Sequence, residues 1–556
     1  MNRNLGAPSQ FLLSELKVRR ALLFSVLLLA VGKLTVVSVG GPFTTVDDLT
    51  AFDAGFLVWF GFPPPQRMYL ESWLIGLSSI VVYSAKSIAI DGFQSLSLDI
   101  VANAYADFYN KPEPYVAVYR SFIILVDAST AFFVYRISER ILSGVSEKWI
   151  IAIPALVYAL TYNTLWSAIV IRPDSLTTFF ATVSFYFYLQ SDYGRKSDLL
   201  YLSAIFAGAA AGMKLHGALF AIVLAADLLR ARGVKQGFKP SFLLAIISLI
   251  TFLVLSGVPI FDPALYVKIR ALNYDHDISP WITRSDQLMS ILRGSNWISI
   301  PLAAIGSYFW FAGRTGILQE DRVKSVLFLS LVWLLVFLSI RQLRAYWMLP
   351  ALPGFYVLAA IALASLKQKR LKLLVSILLV VISALGYLQQ LSSFRTTPYD
   401  QMSVWLSEHG RQKTILMLGY DSLPLMRSES SVANTIGMLE ARVTEIVAEE
   451  RSFLRSHVRS WEERATIRKL QMLGGDSRGF DYYAYHTVPM STLFRYVPPV
   501  DVDIVIVQAH FSEETLASVF ESLGQPFSFL ATFVGPGGGG GGLDYYVYTR
   551  RIEDRD

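Results

Sequence analysis

The sequence predicts a polytopic α-helical membrane protein of about eleven transmembrane helices plus interfacial helices, with a C-terminal α/β extracytoplasmic domain. Three observations support this fold class. Of the 556 residues, 53% are hydrophobic and only 17% are charged, and the mean hydropathy is +0.45. Apolar runs near the length that crosses the hydrocarbon core recur from residue 21 to residue 391. After residue 391 the apolar runs become short and rich in β-branched residues.

The first apolar run, 21–40, follows Lys17, Arg19 and Arg20 and is long enough to span. We therefore expect a retained first helix with the N-terminus in the cytoplasm. The next long run, 69–90, is ambiguous, because every later loop changes side if it crosses the membrane. The other candidate spans are 116–135, 149–165, 173–190, 199–214, 216–230, 241–260, 297–312, 323–340, 346–366 and 372–391.

The charges between these spans decide the topology. If 69–90 does not cross, five short basic loops face the cytoplasm, which is the positive-inside pattern. The sequence then places 69–90 in the outer interface, and Tyr69, Trp73 and Tyr83 suit that position. The basic loops contain Arg136, Arg140, Lys148; Arg195, Lys196; Arg230, Arg232, Lys235, Lys239; Arg314, Arg322, Lys324; and Lys367, Lys369, Arg370, Lys372.

This topology divides the protein into a transmembrane domain, 1–391, and a soluble extracytoplasmic α/β domain, 392–556. It also predicts two long outer loops, 41–115 and 261–296. In the C-terminal domain we expect strands at 414–419 and 502–508, helices at 432–473 and 512–523, and a closing strand pair at 527–534 and 544–550. Strand-like residues flank the glycine-rich segment 535–542 on both sides, which favours a hairpin loop over a phosphate cradle.

Two adjacent carboxylates, Asp47 and Asp48, follow the first span by a few residues. Such a pair at the membrane surface can accept a proton from an incoming hydroxyl or amine, or hold a divalent metal such as Mg²⁺ or Mn²⁺. The alternatives are a solvated loop and a helix N-cap for the run that follows. The chain has no cysteine, which excludes disulfides, zinc–thiolate sites and thiol nucleophiles.

Several cations and one more acid lie at predicted outer ends of spans. Arg172 and Asp174 occupy a very short turn, where they either neutralise one another or line a polar cavity. Lys214 suits phosphate, or it reaches to lipid headgroups. Arg120 pairs with lipid phosphate or with a nearby aspartate, or it snorkels, and Arg341 with Arg344 can anchor the interface. If the bundle is compact, these groups surround one outer cavity together with Asp47 and Asp48. The loop Tyr274-Asp275-His276-Asp277 either covers that cavity or is simply solvated.

These motifs, in this order, resemble the GT-C glycosyltransferases, in the branch of protein O-mannosyltransferases and lipid A aminoarabinose transferases. The motifs are the Asp47-Asp48 pair, the proline-led stretch from Pro63, Arg120, and the turn and lysine described above. Arg344-Ala-Tyr-Trp-Met-Leu-Pro-Ala-Leu-Pro353 completes the set. The His-Pro-Pro of that family is Pro63-Pro64-Pro65 here.

The resemblance implies a multi-pass cell-membrane enzyme that uses a polyprenyl-phosphate sugar donor outside the cytoplasm. Asp47 or Asp48 would act as the base, and Lys214, Arg344, Arg172 and Arg120 would bind the donor phosphate. The acceptor would be a glycan, lipid or protein, and no nucleic acid is expected as a partner. The rival functions are a transporter or flippase of a lipid-linked intermediate, and a non-catalytic membrane assembly subunit.

Overall fold

The structure is a computed structural model of the chain. Predictions for residues 63–65, 274–277, 341, 344 and 535–542 lie outside the residues that it describes. It describes residues 25–27, 29–34, 46–60, 69–91, 100–145, 147–256, 292, 297–313, 320–339, 345–393, 398–410, 413–418, 429–449, 464, 467–468, 470–471, 484–488, 502–508, 516–517, 520–521, 523, 527–533 and 545–550.

The chain forms two compact units. The first comprises Met1–Ser38, Arg120–Ile260 and Ala271–Ser392, and the second comprises Val39–Tyr119, Phe261–Arg270 and Ser393–Asp556. The first predicted outer loop thus belongs to the second unit with the C-terminal residues. A domain boundary between residues 391 and 392 stays a prediction.

The first unit is a bundle of helices. Its helices are α1 (Ser25–Leu34), α5 (Glu113–Ile141), α6 (Ile153–Ala159), α7 (Tyr162–Ile169), α8 (Asp174–Gln190), α9 (Ser197–Met213), α10 (Ala218–Ser256), α11 (Ser299–Phe311), α12 (Glu320–Ser339), α13 (Leu352–Ser365) and α14 (Lys369–Ser393). Short 3-10 turns at Lys148–Ala152, Leu215–Gly217 and Ala345–Ala351 precede α6, α10 and α13.

The core of this bundle is α13, which is buried from Leu352 through Leu363. It packs against α6, α11 and α12. The Tyr356 hydroxyl lies 2.7 Å from Thr161 Oγ1, which links α13 to the residue before α7. At another point Lys372 Nζ donates to Glu147 Oε1 at 2.9 Å. Buried polar links of this kind hold helices together where apolar packing alone gives little directional preference.

Helix α10 consists of two helical halves that fold back at Gly233, where φ is +72°. Glycine adopts this left-handed conformation at little steric cost. Ser241 Oγ donates to the Ala225 carbonyl at 2.9 Å, so the two halves run alongside one another. The sequence predicts two spans here, at 216–230 and 241–260, joined by a loop. In the structure the connection is a tight turn at Gly233 between the two helical halves.

The protein is a polytopic, mostly helical membrane protein. Among the described residues, five helices are long and apolar enough to cross a membrane by length and composition, or six if the bent pair Lys148–Ala159 and Asn163–Ile169 forms one span. Large apolar side chains on these helices face outward, including Val254, Leu374 and Leu385. Such extensive exposed apolar surface suits lipid rather than water. The prediction of about eleven spans stays a prediction.

The second unit contains two described parts. The first has helices α2 (Val46–Trp59), α3 (Tyr69–Asp91) and α4 (Ile100–Asn110). Helix α3 packs against α2 and α4, and the rings of Trp59 and Trp73 stack with centroids 5.4 Å apart. By length and composition α3 can cross a membrane, whereas the charge pattern assigns it to the interface. Its interfacial placement stays a prediction.

The other described part of the second unit is a mixed sheet with helices α15 (Pro398–His409) and α16 (Glu429–Glu449). The sheet contains β1 (Thr414–Leu418), β2 (Ala484–Val488), β3 (Ile504–Gln508), β4 (Phe527–Phe533) and β5 (Tyr545–Arg550), in the order β2-β1-β3-β5-β4. Strand β1 is parallel to β2 and β3, and β5 is antiparallel to β3 and β4. Strands β4 and β5 lie in the two runs that the sequence assigns to a closing strand pair.

Candidate active site

The turn between α7 and α8 is the centre of the candidate site in the first unit. Helix α7 ends as Val170 becomes extended, and Pro173 leads into α8. Asp174 is the first residue of α8 and is fully buried. The N-terminus of a helix carries partial positive charge, so it stabilises a carboxylate placed there.

Lys214 forms an ion pair with this aspartate. Its Nζ lies 2.7 Å from Asp174 Oδ1, and 22% of the lysine side chain is exposed while the aspartate side chain is 0% exposed. The ammonium group of Lys214 therefore contacts a buried carboxylate, while part of the lysine side chain remains exposed at the surface of the protein. A lysine ammonium has three N–H donors, so it can contact a carboxylate and a phosphate together.

The backbone around Lys214 is held by a close contact. Lys214 is extended between α9 and the following 3-10 turn, and the Gly217 N–H donates to the Lys214 carbonyl at 2.7 Å. A Cβ atom at Gly217 would lie 2.3 Å from the Ala210 carbonyl oxygen. Only glycine fits this approach without displacement, so Gly217 sets the turn that presents the lysine.

Arg120 reaches the same turn from α5. Its Nε donates to the carbonyl of Ile169, the last residue of α7, at 2.6 Å. The arginine is 2% exposed, so it supports the turn from inside the bundle. The structure thus brings Arg120, Asp174 and Lys214 together around the residues that follow α7.

The remaining predicted phosphate ligands are described less fully. Arg172 is half-buried within the turn itself. Arg344 lies outside the described residues, but the 3-10 turn that begins at Ala345 packs against α7 and α8. The chain segment that follows Arg344 therefore contacts both helices that flank the turn. A role for either arginine in phosphate binding stays a prediction.

Asp47 and Asp48 lie in the first turn of α2, in the second unit. Their backbone is helical, and their side chains lie outside the described part of the structure. Their neighbour Asp53 is engaged, since its Oδ1 accepts hydrogen bonds from the Tyr105 and Tyr109 hydroxyls, each at 2.8 Å. No group of three or more His, Cys, Asp or Glu among the described residues could hold a metal ion.

Lys33, Asp127 and Asp227 are among the buried charged residues that were not predicted from sequence. Lys33 on α1 pairs with Asp127 on α5. Asp227 on α10 accepts from the Tyr188 hydroxyl at 2.7 Å and from Ser325 Oγ at 2.6 Å. The signal for all three charges was present, because an ionisable residue within an apolar span is costly and needs a partner. Their partners could not be named, because they come from distant parts of the chain.

No protein-family model matches the chain, and no curated protein matches it either. Solved structures are similar over nearly its whole length. The chain is similar to ArnT from Cupriavidus metallidurans. The apo structure of ArnT covers 98% of each chain at 12% identity, with a TM-score of 0.44. The structure of ArnT bound to undecaprenyl phosphate covers 97% of this chain and 98% of ArnT at 12% identity, with a TM-score of 0.42.

ArnT is a lipid A aminoarabinose transferase, a GT-C glycosyltransferase. It belongs to the branch that the motifs of this sequence resemble. At 12% identity and these TM-scores, the roles of individual residues rest on the chemistry and geometry of this chain rather than on ArnT.

Proposed function

We propose that the protein is a membrane glycosyltransferase that moves a sugar from a polyprenyl-phosphate donor to an acceptor on the extracytoplasmic face. The acceptor is a glycan, a lipid or a protein. The observation that carries the proposal is the ion pair between Lys214 and the buried Asp174 at the end of a helix bundle in a membrane protein. A partly exposed cation fixed at that position suits the phosphate of a lipid-linked substrate.

The pair suits a departing phosphate for an electrostatic reason. When the bond between sugar and phosphate breaks, the leaving phosphate gains negative charge, so a preorganised cation stabilises the transition state more than the ground state. Asp174 holds Lys214 in place before the substrate arrives. Arg172, Arg120 and Arg344 are the further residues that we assign to the donor phosphate.

The reaction that we propose is a single displacement. Asp47 or Asp48 takes the proton of the acceptor hydroxyl, and the acceptor oxygen attacks C1 of the sugar. The bond from C1 to the phosphate oxygen breaks, and its electron pair leaves with the polyprenyl phosphate. Attack opposite the leaving group inverts the configuration at C1. Both aspartates lie in the first turn of α2, and a helix N-terminus favours nearby negative charge, which is compatible with a carboxylate base.

The test is a transfer assay with lipid-linked sugar donor on Asp47→Asn and Asp48→Asn. Loss of a general base lowers the rate by about 10²–10⁴-fold, and we expect this loss in one of the two variants. Asp198→Asn is the matched control, since Asp198 is an exposed aspartate in the first turn of α9. Full activity in both test variants would refute the base assignment.

The same assay separates the proposal from its rivals. A flippase or transporter would move the lipid-linked sugar without forming a covalent product, and an assembly subunit would form none alone. A metal held by Asp47 and Asp48 is a second prediction for this pair. If sugar transfer stops after chelation and returns with Mg²⁺ or Mn²⁺, a metal site at Asp47 and Asp48 is supported. If transfer continues under chelation, the carboxylate acts as a base without a metal.

A further inference from the structure

Two arginines from different helices of the first unit meet at one end of the bundle. Arg140 lies in the last turn of α5, and Arg322 lies in the first turn of α12. Arg322 Nη1 donates to the backbone carbonyl of Arg140 at 3.4 Å. Because α5 is long and apolar enough to cross a membrane, Arg140 lies where that helix would leave the hydrocarbon core.

This contact uses only part of the hydrogen-bonding capacity of the two side chains. Arg322 caps the C-terminus of α5, where backbone carbonyls lack helical partners and a positive charge is favourable. A guanidinium has five N–H donors, so most of those of Arg322 remain for another partner. Arg140 contributes only its backbone carbonyl, and its own Nε is buried and donates to no described residue. Ordinary snorkelling does not explain a buried Nε, because it extends the charged group into water.

The positive charge of the two arginines is only partly offset within the described residues. Burial lowers the pKa of Arg322, the charge of Arg140 lowers it further, and Asp192 counteracts only part of this effect. Asp321 precedes Arg322, but it is exposed, and its backbone carbonyl is the group that accepts hydrogen bonds here. The neighbouring acids form ion pairs with other cations, namely Glu139 with Arg136, Asp192 with Arg195, Asp227 with Arg230 and Glu320 with Lys324.

A phosphate group is the anion that suits this pair of arginines. Guanidinium N–H donors form a planar fork that binds phosphate oxygens through two hydrogen bonds at once. Basic pockets between membrane-spanning helices are also the sites at which anionic phospholipid headgroups bind. Arg140 is at the end of such a helix, so its guanidinium lies at the depth of the headgroups.

The face of α5 that carries Arg140 is apolar and exposed along its length. Phe122, Leu125 and Phe132 are 38%, 58% and 49% exposed. With 3.6 residues per turn, all three lie within about 80° of Arg140 around the helix axis. Such a stripe suits acyl chains that extend from a headgroup at Arg140, which favours a phospholipid over a soluble phosphate.

We propose that Arg140 and Arg322 form a binding site for the phosphate of an anionic phospholipid, whose acyl chains lie along this face of α5. The residues that carry this proposal belong to α5 and α12 and take no part in the proposed transfer reaction.

This lipid site is separate from the candidate active site. Ser325, three residues after Arg322, donates to Asp227, which also accepts from Tyr188 near the end of α8. Asp174, the partner of Lys214, is the first residue of the same helix. The two sites therefore lie near opposite ends of α8, about 20 Å apart along its axis. Binding at Arg140 and Arg322 does not depend on the proposed function, and its test needs no sugar donor.

The test measures binding of phosphatidylglycerol to the full chain in detergent by native mass spectrometry. Arg140→Gln and Arg322→Gln each remove a charged donor, so we expect each to weaken binding by about tenfold or more. Arg370→Gln is the matched control, since it removes the same charge from an exposed arginine in the first turn of α14 and should bind as the wild type does. Unchanged binding in both test variants, or an equal loss in all three, would overturn the proposal.

Thermal unfolding separates lost binding from a damaged fold. Arg322→Gln removes a helix cap and should lower Tm even without lipid. Arg140→Gln keeps the carbonyl that Arg322 contacts, so its Tm in lipid-free detergent should stay near the wild-type value. Added phosphatidylglycerol should raise the Tm of the wild type and of Arg370→Gln, because a ligand that binds only the folded state stabilises it. An equal rise in Arg140→Gln would contradict the proposal.

Inorganic phosphate distinguishes a lipid from a soluble anion. It lacks acyl chains that could contact α5, so we expect it to raise the wild-type Tm much less than phosphatidylglycerol does. If inorganic phosphate gives a rise that depends on Arg140 and phosphatidylglycerol gives none, the site binds a soluble anion and the lipid assignment is wrong.

Discussion

At the scale of single residues, Lys214 and Asp174 form an ion pair between two segments that are distant in the chain. The sequence indicates both residues separately, and it places Asp174 beside Arg172 in one turn. The structure pairs the aspartate with Lys214 at 2.7 Å, forty positions along the chain. A fully buried carboxylate needs a compensating cation, and a lysine that is partly exposed can provide one while still facing a ligand.

The first prediction concerns Lys214→Met. Removing a charged hydrogen-bond donor costs on the order of 1.5–3 kcal/mol, which corresponds to about tenfold or more in binding of undecaprenyl phosphate. Lys372→Met is the matched control, because Lys372 also pairs with a carboxylate from another segment, at 2.9 Å from Glu147. Equal loss of binding in both variants, measured in detergent or nanodiscs, would contradict a specific role for Lys214.

At the scale of elements, the helices follow from sequence more fully than the strands. Apolar runs predicted α5, α8 and α13, because a membrane-crossing helix must satisfy its backbone within one continuous segment. Strand β2 was missed. Its five residues, Ala484 to Val488, are too few to show a clear alternation, and its parallel partner β1 lies about seventy positions earlier. The residues in and around β2 therefore do not indicate that it pairs with β1.

The contacts of the candidate site could also be predicted only in part from the sequence. The sequence predicted Arg120, Asp174 and Lys214 as a group on one side of the membrane, since topology assigns each span end to a side. It could not predict that Arg120 donates to the Ile169 carbonyl, because that bond depends on how α5 packs in the bundle. It also gave no role to Gly217. A glycine is required at this position because the Ala210 carbonyl of the preceding helix leaves no room for a Cβ atom.

Gly217 leads to the prediction at this scale. Gly217→Ala places a Cβ 2.3 Å from the Ala210 carbonyl oxygen, so the turn must shift. Overpacking of this kind costs about 1–3 kcal/mol, and the shift moves Lys214. We expect a lower Tm together with weaker binding of undecaprenyl phosphate.

Gly144→Ala is the control for this change, because a Cβ at Gly144 meets no atom within 4 Å. It should leave both Tm and binding near the wild-type values. A Gly217→Ala protein with unchanged Tm and binding would show that the close approach at Ala210 does not constrain the turn.

At the scale of the whole molecule, the position of α3 relative to the membrane determines the side on which every later segment lies. Length and composition allow α3 to cross, and its face includes exposed apolar residues such as Val81 and Ile90. The basic loops argue against it, because a crossing at α3 would move all of them outside. Among the described residues, five of these basic residues form ion pairs, namely Arg136, Arg195, Arg230, Lys324 and Lys372. The positive-inside rule counts lysine and arginine rather than net charge, so these pairs leave the predicted orientation unchanged.

The chain lacks cysteine, so single cysteines can report this topology without a prior substitution. We expect Ser95→Cys and Ser407→Cys to react with a membrane-impermeant maleimide in right-side-out vesicles. Ser143→Cys, which follows α5 among the predicted cytoplasmic loops, should react only after permeabilisation. If α3 crosses, Ser95 and Ser143 exchange these behaviours, since every later segment changes side. That result would place Lys214 on the cytoplasmic side, where the proposed extracytoplasmic transfer could not use it.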